Sequence, residues 1–187
     1  MADTPLPRPQ NIHVADMRFS ALTDGRGHPN GWPCRLLVTS QSEARRFHKA
    51  LGATHVLSIK GTKTKYLGPK DLPETHHLLM MFNDVPDAAH SMPPTQAHIE
   101  EMQRWMLALP GDAALIVHCL QGVHRSAATA LGFLAQQVPP PDAMRLLSQI
   151  RPEAMPNPLV VSLWDRYLKL DGALIAASGP PGPSGQR

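Results

Sequence analysis

The stretch that decides the reading is Val117-His118-Cys119-Leu120-Gln121-Gly122-Val123-His124-Arg125-Ser126. An apolar run ends in a cysteine, a short loop with a central glycine follows, and an arginine and a serine open a helix-like segment. A tight loop at a helix N-terminus turns several backbone N–H groups inward and so makes a nest for an anion. Gly122 supplies the backbone freedom that such a turn needs. Arg125 adds a planar fork able to grip two oxygens of a tetrahedral oxyanion. Cys119, at the floor of this positive cradle, has its thiol pKa lowered toward the thiolate. A thiolate beneath a bound phosphate monoester is placed for in-line attack on phosphorus, giving a thiophosphoryl intermediate.

Working outward from that segment, apolar strand-like runs alternate with helical periodicity. Strands are predicted over 11–17, 35–39, 55–59, 77–82 and 115–118. A helix capped by Ser40 or Ser42 runs to about Leu51, with Glu43 in its first turn. Further helices are expected over 95–109, 125–137, 142–150 and 158–170, and the Gly/Pro/Asn-rich segment 23–33 reads as a loop. The fold class is therefore α/β: a single domain with a central, mostly parallel sheet of about four to five strands flanked by helices. In such sheets ligands sit at the carboxyl ends of the strands, where the Cys119 loop falls. Residues 1–10 read as a flexible leader, 11–172 as the catalytic domain and 173–187 as a flexible Gly/Pro/Ser tail.

Composition narrows the class further. The chain has 187 residues, 42% of them hydrophobic and 18% charged, enough apolar side chain for one buried core. Aromatics make up 5%, too few for a stacking platform for single-stranded nucleic acid, and no nucleic-acid partner is expected. A net charge of +3 favours anionic ligands without implying DNA. The longest apolar runs fall far short of the roughly 20 residues that cross a bilayer, and residues 1–10 carry no secretory signal pattern. Two cysteines, Cys34 and Cys119, make no disulfide framework, so a reducing cytoplasm is the expected setting. The histidines at 76, 77, 90 and 98 show no zinc-ligand spacing and read as structural or exposed; no metal or cofactor is expected.

His118-Cys119, five residues, then Arg125-Ser126 resembles the HCx5R[ST] signature of the cysteine-dependent protein tyrosine phosphatase superfamily. Asn83-Asp84, 35 residues before Cys119, is similar to the general-acid segment of the small dual-specificity branch, and Arg151-Pro152 with Pro156-Asn157 to a later segment of the same proteins. Phe82-Asn83-Asp84 with the Cys119 loop is also like bacterial tyrosine phosphatase-like proteins. The low-molecular-weight phosphatases, with an N-terminal cysteine and a distant downstream acid, have the opposite order. The likeness spans roughly residues 35–170.

The resemblance implies a dual-specificity-phosphatase-like fold and a role for each matched residue. Cys119 is the nucleophile, and Arg125 binds phosphate and stabilises the transition state. Leu120, Gln121, Gly122, Val123 and His124 complete the substrate-binding loop. Ser126 hydrogen-bonds the thiolate, His118 orients the loop from behind, and Asn157 supports it. Asp84 is the general acid, with Asp87 as the alternative. Leu120, Gln121, Val123 and His124 depart from the more usual polar or aromatic choices, and the loop has no lysine of the kind found in phosphoinositide phosphatases. His124 is either an added positive charge at lower pH or a surface histidine. Cys34 is either a buried strand residue or a resolving thiol for Cys119. The lysine-rich stretch 60–70 is either a solvated loop or an attractor for acidic substrates, and Tyr66 within it is a candidate wall for an otherwise shallow pocket.

The expected substrate is a phosphorylated protein, phosphotyrosine first, with phosphoserine and phosphothreonine as further candidates. The alternatives are a small non-protein phosphomonoester (nucleotide, RNA 5′ end, inositol phosphate or lipid) and a phosphate-binding module with little turnover. A rhodanese-like sulfur transferase also uses a loop cysteine, but the pairing of HCx5RS with an upstream Asp disfavours it.

Overall fold

The computed structural model describes residues 8–23 and 35–179. Its strands are β1 (Gln10–Val14), β2 (Met17–Thr23), β3 (Arg35–Ser40), β4 (His55–Lys60), β5 (His77–Met81) and β6 (Ala114–Cys119). Its α-helices are α1 (Gln41–Phe47), α2 (Gln96–Leu107), α3 (Arg125–Leu134), α4 (Pro140–Ile150), α5 (Pro158–Leu168) and α6 (Ala173–Ser178).

The strands form one sheet in the order β1-β2-β3-β6-β4-β5. β3, β6, β4 and β5 run parallel, and β1 and β2 are an antiparallel hairpin on the β3 edge. Every residue of β6 is buried, as a central parallel strand covered on both faces requires. Side-chain alternation divides the core. Leu37, Val56 and Ile116 face α1 with Ala44 and Phe47, whereas Leu36, Val38, Leu57, Leu115 and Val117 face the other helices.

The six strands correct the expected four to five. The predicted strand over 11–17 is in fact a hairpin that turns at Ala15 and Asp16, with Val14 paired to Met17. Ala15 sits at φ 51°, a left-handed turn position without the glycine or asparagine that normally announces one. Residues 173–178, expected as the start of a flexible tail, form a helix instead. Asp165, buried on α5, accepts backbone N–H bonds from Gly172 and Leu174 at 2.8 Å, and this fixes the start of α6, whose Leu174 is buried. Cys34, the earlier part of the leader and the end of the tail lie outside the described residues.

The side of the sheet that carries α3 and α5 is tightly packed. α3 lies against α5 with Gly132 under the Trp164 ring, where an added Cβ would stand 2.2 Å from Cδ2 of Trp164. The edge-on contact of Phe133 with Trp164, 5.5 Å between centroids, extends the same seam. These contacts anchor the helix whose N-terminus faces the Cys119 loop.

Candidate functional site

β6 delivers Cys119 directly into the loop, and α3 begins at Arg125. Between them each carbonyl is bonded on the outside of the turn. Leu120 O accepts from Gln41 N, Gln121 O from Arg151 Nη2 and Gly122 O from Arg151 Nε, all at 3.2 Å. Val123 O accepts from Met155 N at 2.9 Å and His124 O from Asn157 N at 3.2 Å. A peptide unit whose carbonyl points out turns its N–H in, so these bonds set up the inward ring of amides. Gly122 has φ +74°, and a Cβ there would lie 2.5 Å from the backbone of Thr39. Conformation and contact both demand glycine.

The Cys119 thiol is nearly buried, and burial alone would raise its pKa. The hydrogen bond from Ser126 Oγ (3.2 Å), the backbone N–H groups of Ser126 and Gly122 and the Arg125 charge together outweigh burial and hold it below the usual thiol value. Arg125 is only 5% exposed. Its Nη1 donates to Phe82 O at 2.8 Å, which aims the guanidinium, and its buried Nε has no hydrogen-bond partner. A buried N–H donor left without an acceptor is rare and costly, and an oxyanion oxygen would satisfy it.

Asp84 hangs over this loop. Its Oδ1 accepts from Asn157 Nδ2 at 2.8 Å, its Oδ2 lies 2.9 Å from His124 Nδ1, and Arg125 Nε stands 3.8 Å away. Asn157 is fully engaged: Oδ1 caps α5 by accepting from Val160 N at 3.0 Å, and Nδ2 also donates to Val85 O. Asp87 is elsewhere. It accepts from Ala89 N and pairs with His90, each at 2.9 Å, and these bonds hold its carboxyl pKa low. Of the two candidate acids the geometry brings only Asp84 to the cysteine.

Behind the loop, His118 is buried on the α1 side of the sheet. Its Nε2 lies 2.6 Å from Ser58 Oγ, which also meets His77 Nε2 at 2.8 Å and Tyr66 Oη at 3.0 Å. Burial pushes the His118 pKa down to about 4, so the ring is neutral near pH 7. A neutral ring can donate from Nδ1 to Cys119 O, 3.4 Å away. Tyr66 does not wall the pocket: its hydroxyl donates to Pro69 O at 2.9 Å and its ring stacks near His118, beneath the loop.

The open cleft above Cys119 has a volume of about 580 Å³. Leu120, Gln121 and His124 line it with Asp84, Arg125 and Asn157, whereas the predicted loop members Gly122 and Val123 are not among its lining residues. Its rim is apolar, with Leu120 53% and Met155 66% exposed beside Val85, Pro86, Pro156 and Pro158. One structural pair has no local signal in the sequence. Arg151 bonds two loop carbonyls and also Glu43 at 3.2 Å, and Glu43 in turn closes the Ser40 capping box of α1. Arg151-Pro152 was visible as a segment, but nothing local ties Arg151 to Glu43.

No protein-family model matches the chain, and no curated protein matches it. Solved structures do. The human tyrosine phosphatase-like serine/threonine/tyrosine-interacting protein superposes with a TM-score of 0.61 at 18% identity, over 73% of this chain and 92% of that one. DUSP15 gives 0.58 at 17% identity over 75% and 86%. PTP-2 phosphatase of Cydia pomonella gives 0.57 at 19% identity over 70% and 84%. The described chain therefore has the fold of the dual-specificity and tyrosine phosphatases, a single α/β domain with its cysteine loop at the carboxyl end of the central strand.

Proposed function

We infer that the protein hydrolyses phosphate monoesters through a cysteinyl-phosphate intermediate. The observation that carries this reading is the buried Nε of Arg125, which has no hydrogen-bond partner, beside a thiol whose pKa is lowered. A tetrahedral oxyanion meets both needs: it accepts from Nε and the inward amides and presents phosphorus to sulfur.

In the first step the Cys119 thiolate attacks phosphorus, the P–O ester bond breaks, and Asp84 gives its proton to the leaving oxygen. In the second, Asp84 takes a proton from water as that water attacks phosphorus. The S–P bond breaks, inorganic phosphate departs, and Ser126 Oγ donates to the returning thiolate. Asn157 and His124 are the groups that hold Asp84 over the cleft. His118 acts as a positioning residue behind the loop.

Protein phosphotyrosine is the proposed substrate, with phosphoserine and phosphothreonine as further candidates. Support comes from the apolar rim of Leu120, Val85, Pro86 and Met155, against which an aromatic ring can lie. A nucleophilic thiol stays active where it stays reduced, which supports a cytoplasmic setting. Among the described residues no helix is long and apolar enough to cross a membrane.

The test is turnover of p-nitrophenyl phosphate in chelator-treated buffer, inhibited by vanadate and abolished in Cys119→Ser. Activity that survives the substitution overturns the mechanism. Tight vanadate binding without turnover would instead identify a phosphate-binding module. A panel of phosphotyrosine peptide, nucleotide and inositol phosphate assigns the substrate class.

A further inference from the structure

A second concavity, of about 410 Å³, lies where the end of α1 meets the loop that follows β4. Arg45, Arg46 and Lys49 line it from one side and Lys70 and Asp71 from the other. Four permanent cations thus face one carboxylate, a local charge of +3 equal to the formal net charge of the whole chain. That carboxylate is already committed: Asp71 pairs with Lys49 and with His48 Nε2 at 2.9 Å. Among the described residues Arg45 and Lys70 have no ion-pair or hydrogen-bond partner. Concentrated, uncompensated charge in a concave surface focuses potential on an incoming anion.

This concavity neighbours the Cys119 cleft. A small depression of about 120 Å³ shares Arg45 and Leu67 with the basic concavity and Leu120 with the cleft. Gln41 staples the three parts together, its backbone N–H on Leu120 O and its side-chain oxygen accepting from Leu67 N, both at 3.2 Å. Tyr66 Oη, bonded to Pro69 O, fixes the approach to Lys70. The spacing between the two sites is therefore set by hydrogen bonds and not by the drift of a solvated loop. Of the lysine-rich stretch only Lys70 takes part, and the arginines come from α1, which the sequence reading did not connect with it.

We propose that the basic concavity is an anion-binding subsite for a second acidic group, carboxylate or phosphate, of a peptide whose phosphorylated residue lies over Cys119. The identity of that first residue rests on the phosphatase reading above. Arg45 stands one helical turn beyond Gln41, about 6 Å at 1.5 Å per residue, and the concavity continues past it. Extended peptide advances about 3.3 Å per residue, so that turn alone spans about two residues and the second acid lies at least that far from the first. The saddle between the sites is apolar, with Leu67 and Leu120 exposed, and suits an intervening peptide side chain. Nucleic acid is disfavoured because the ring of Tyr66, next to Leu67 of the saddle, is turned under the loop.

The experiment compares two phosphotyrosine peptides, one with Asp and Glu at the second to fourth flanking positions and one with Asn and Gln there, on the wild-type chain and on Arg45→Ala/Lys70→Ala. Binding is measured by titration calorimetry in a Cys119→Ser background, and kcat/KM in the active protein. The acidic peptide is expected to win by roughly five- to tenfold at low salt, with the advantage shrinking as salt rises. The double variant should lose that advantage while p-nitrophenyl phosphate turnover stays within about twofold, since both side chains are exposed and outside the loop. Equal binding of the two peptides, or a preference that survives the double substitution, overturns the subsite. So does variant-sensitive binding of RNA or of phosphatidylserine vesicles in the absence of peptide discrimination. If the calorimetric preference holds while p-nitrophenyl phosphate is not turned over, the subsite stands and the phosphatase reading falls.

Discussion

Nδ1 of His124 lies 2.9 Å from Oδ2 of Asp84, so a residue of the cysteine loop holds the carboxylate that faces the cysteine. Asn157, at the start of α5, holds the other oxygen at 2.8 Å. The carboxylate is thus tethered from two elements while Arg125 Nε stands 3.8 Å off, within Coulombic reach but unbonded. Placement of this carboxylate then depends on a loop position that carries histidine.

His124→Ser should therefore impair leaving-group protonation more than attack. The loss in kcat/KM, which reports leaving-group departure, is expected to be about five- to tenfold on phenyl phosphate, a poor leaving group that needs the proton, and smaller on p-nitrophenyl phosphate. Equal losses on the two substrates would show that His124 does not act through Asp84.

Ser126→Ala removes the strongest of the contacts that hold the Cys119 thiol below its usual pKa, leaving burial to push it up. The pH at which iodoacetate alkylates Cys119 should move upward, and the acid limb of kcat/KM with it. An unchanged alkylation profile would assign the thiolate to the amides and Arg125 alone.

His118 titrates at about 4 in the folded chain and near 6.5 when unfolded. Between those values the unfolded state binds more protons, so stability is fully present above about pH 6.5 and falls as pH drops toward 4. Burial shifts His55, His77 and His98 the same way and adds to the slope. Thermal melts across that window should show Tm falling on acidification, with a shallower dependence in His118→Asn. A slope identical in the variant would exclude His118 from it.

Arg151→Ala removes the donors to Gln121 O and Gly122 O and leaves Glu43 without its ion-pair partner. A cost of about 2 kcal/mol in urea unfolding is expected, the usual scale for a partly buried pair that loses one member. Because the loop carbonyls would be free to turn, kcat/KM should fall at least tenfold even where the protein is folded. Arg151→Lys, which keeps charge without the fork, should recover stability better than activity. Activity that tracks stability in both variants would reduce Arg151 to a structural role.

The local chemistry of the site is readable along the chain. Cys119, Gly122, Arg125 and Ser126 lie within eight residues, and strand, turn and helix N-terminus follow from an apolar run, a glycine and the start of a periodic segment. The parallel core is equally legible because β3, β4 and β6 are short and apolar on both faces. The β1–β2 hairpin is not, since Ala15 adopts its left-handed turn without the residue type that signals one. Nor is α6, whose start depends on the buried carboxylate of Asp165 and not on its own six residues. The tertiary structure alone brings Asp84, and not Asp87, to the Cys119 loop, joins Glu43 to Arg151 across 108 positions, and sets Arg45 beside Lys70. Each of these pairings is long-range, and its geometry is fixed by how the sheet and helices pack.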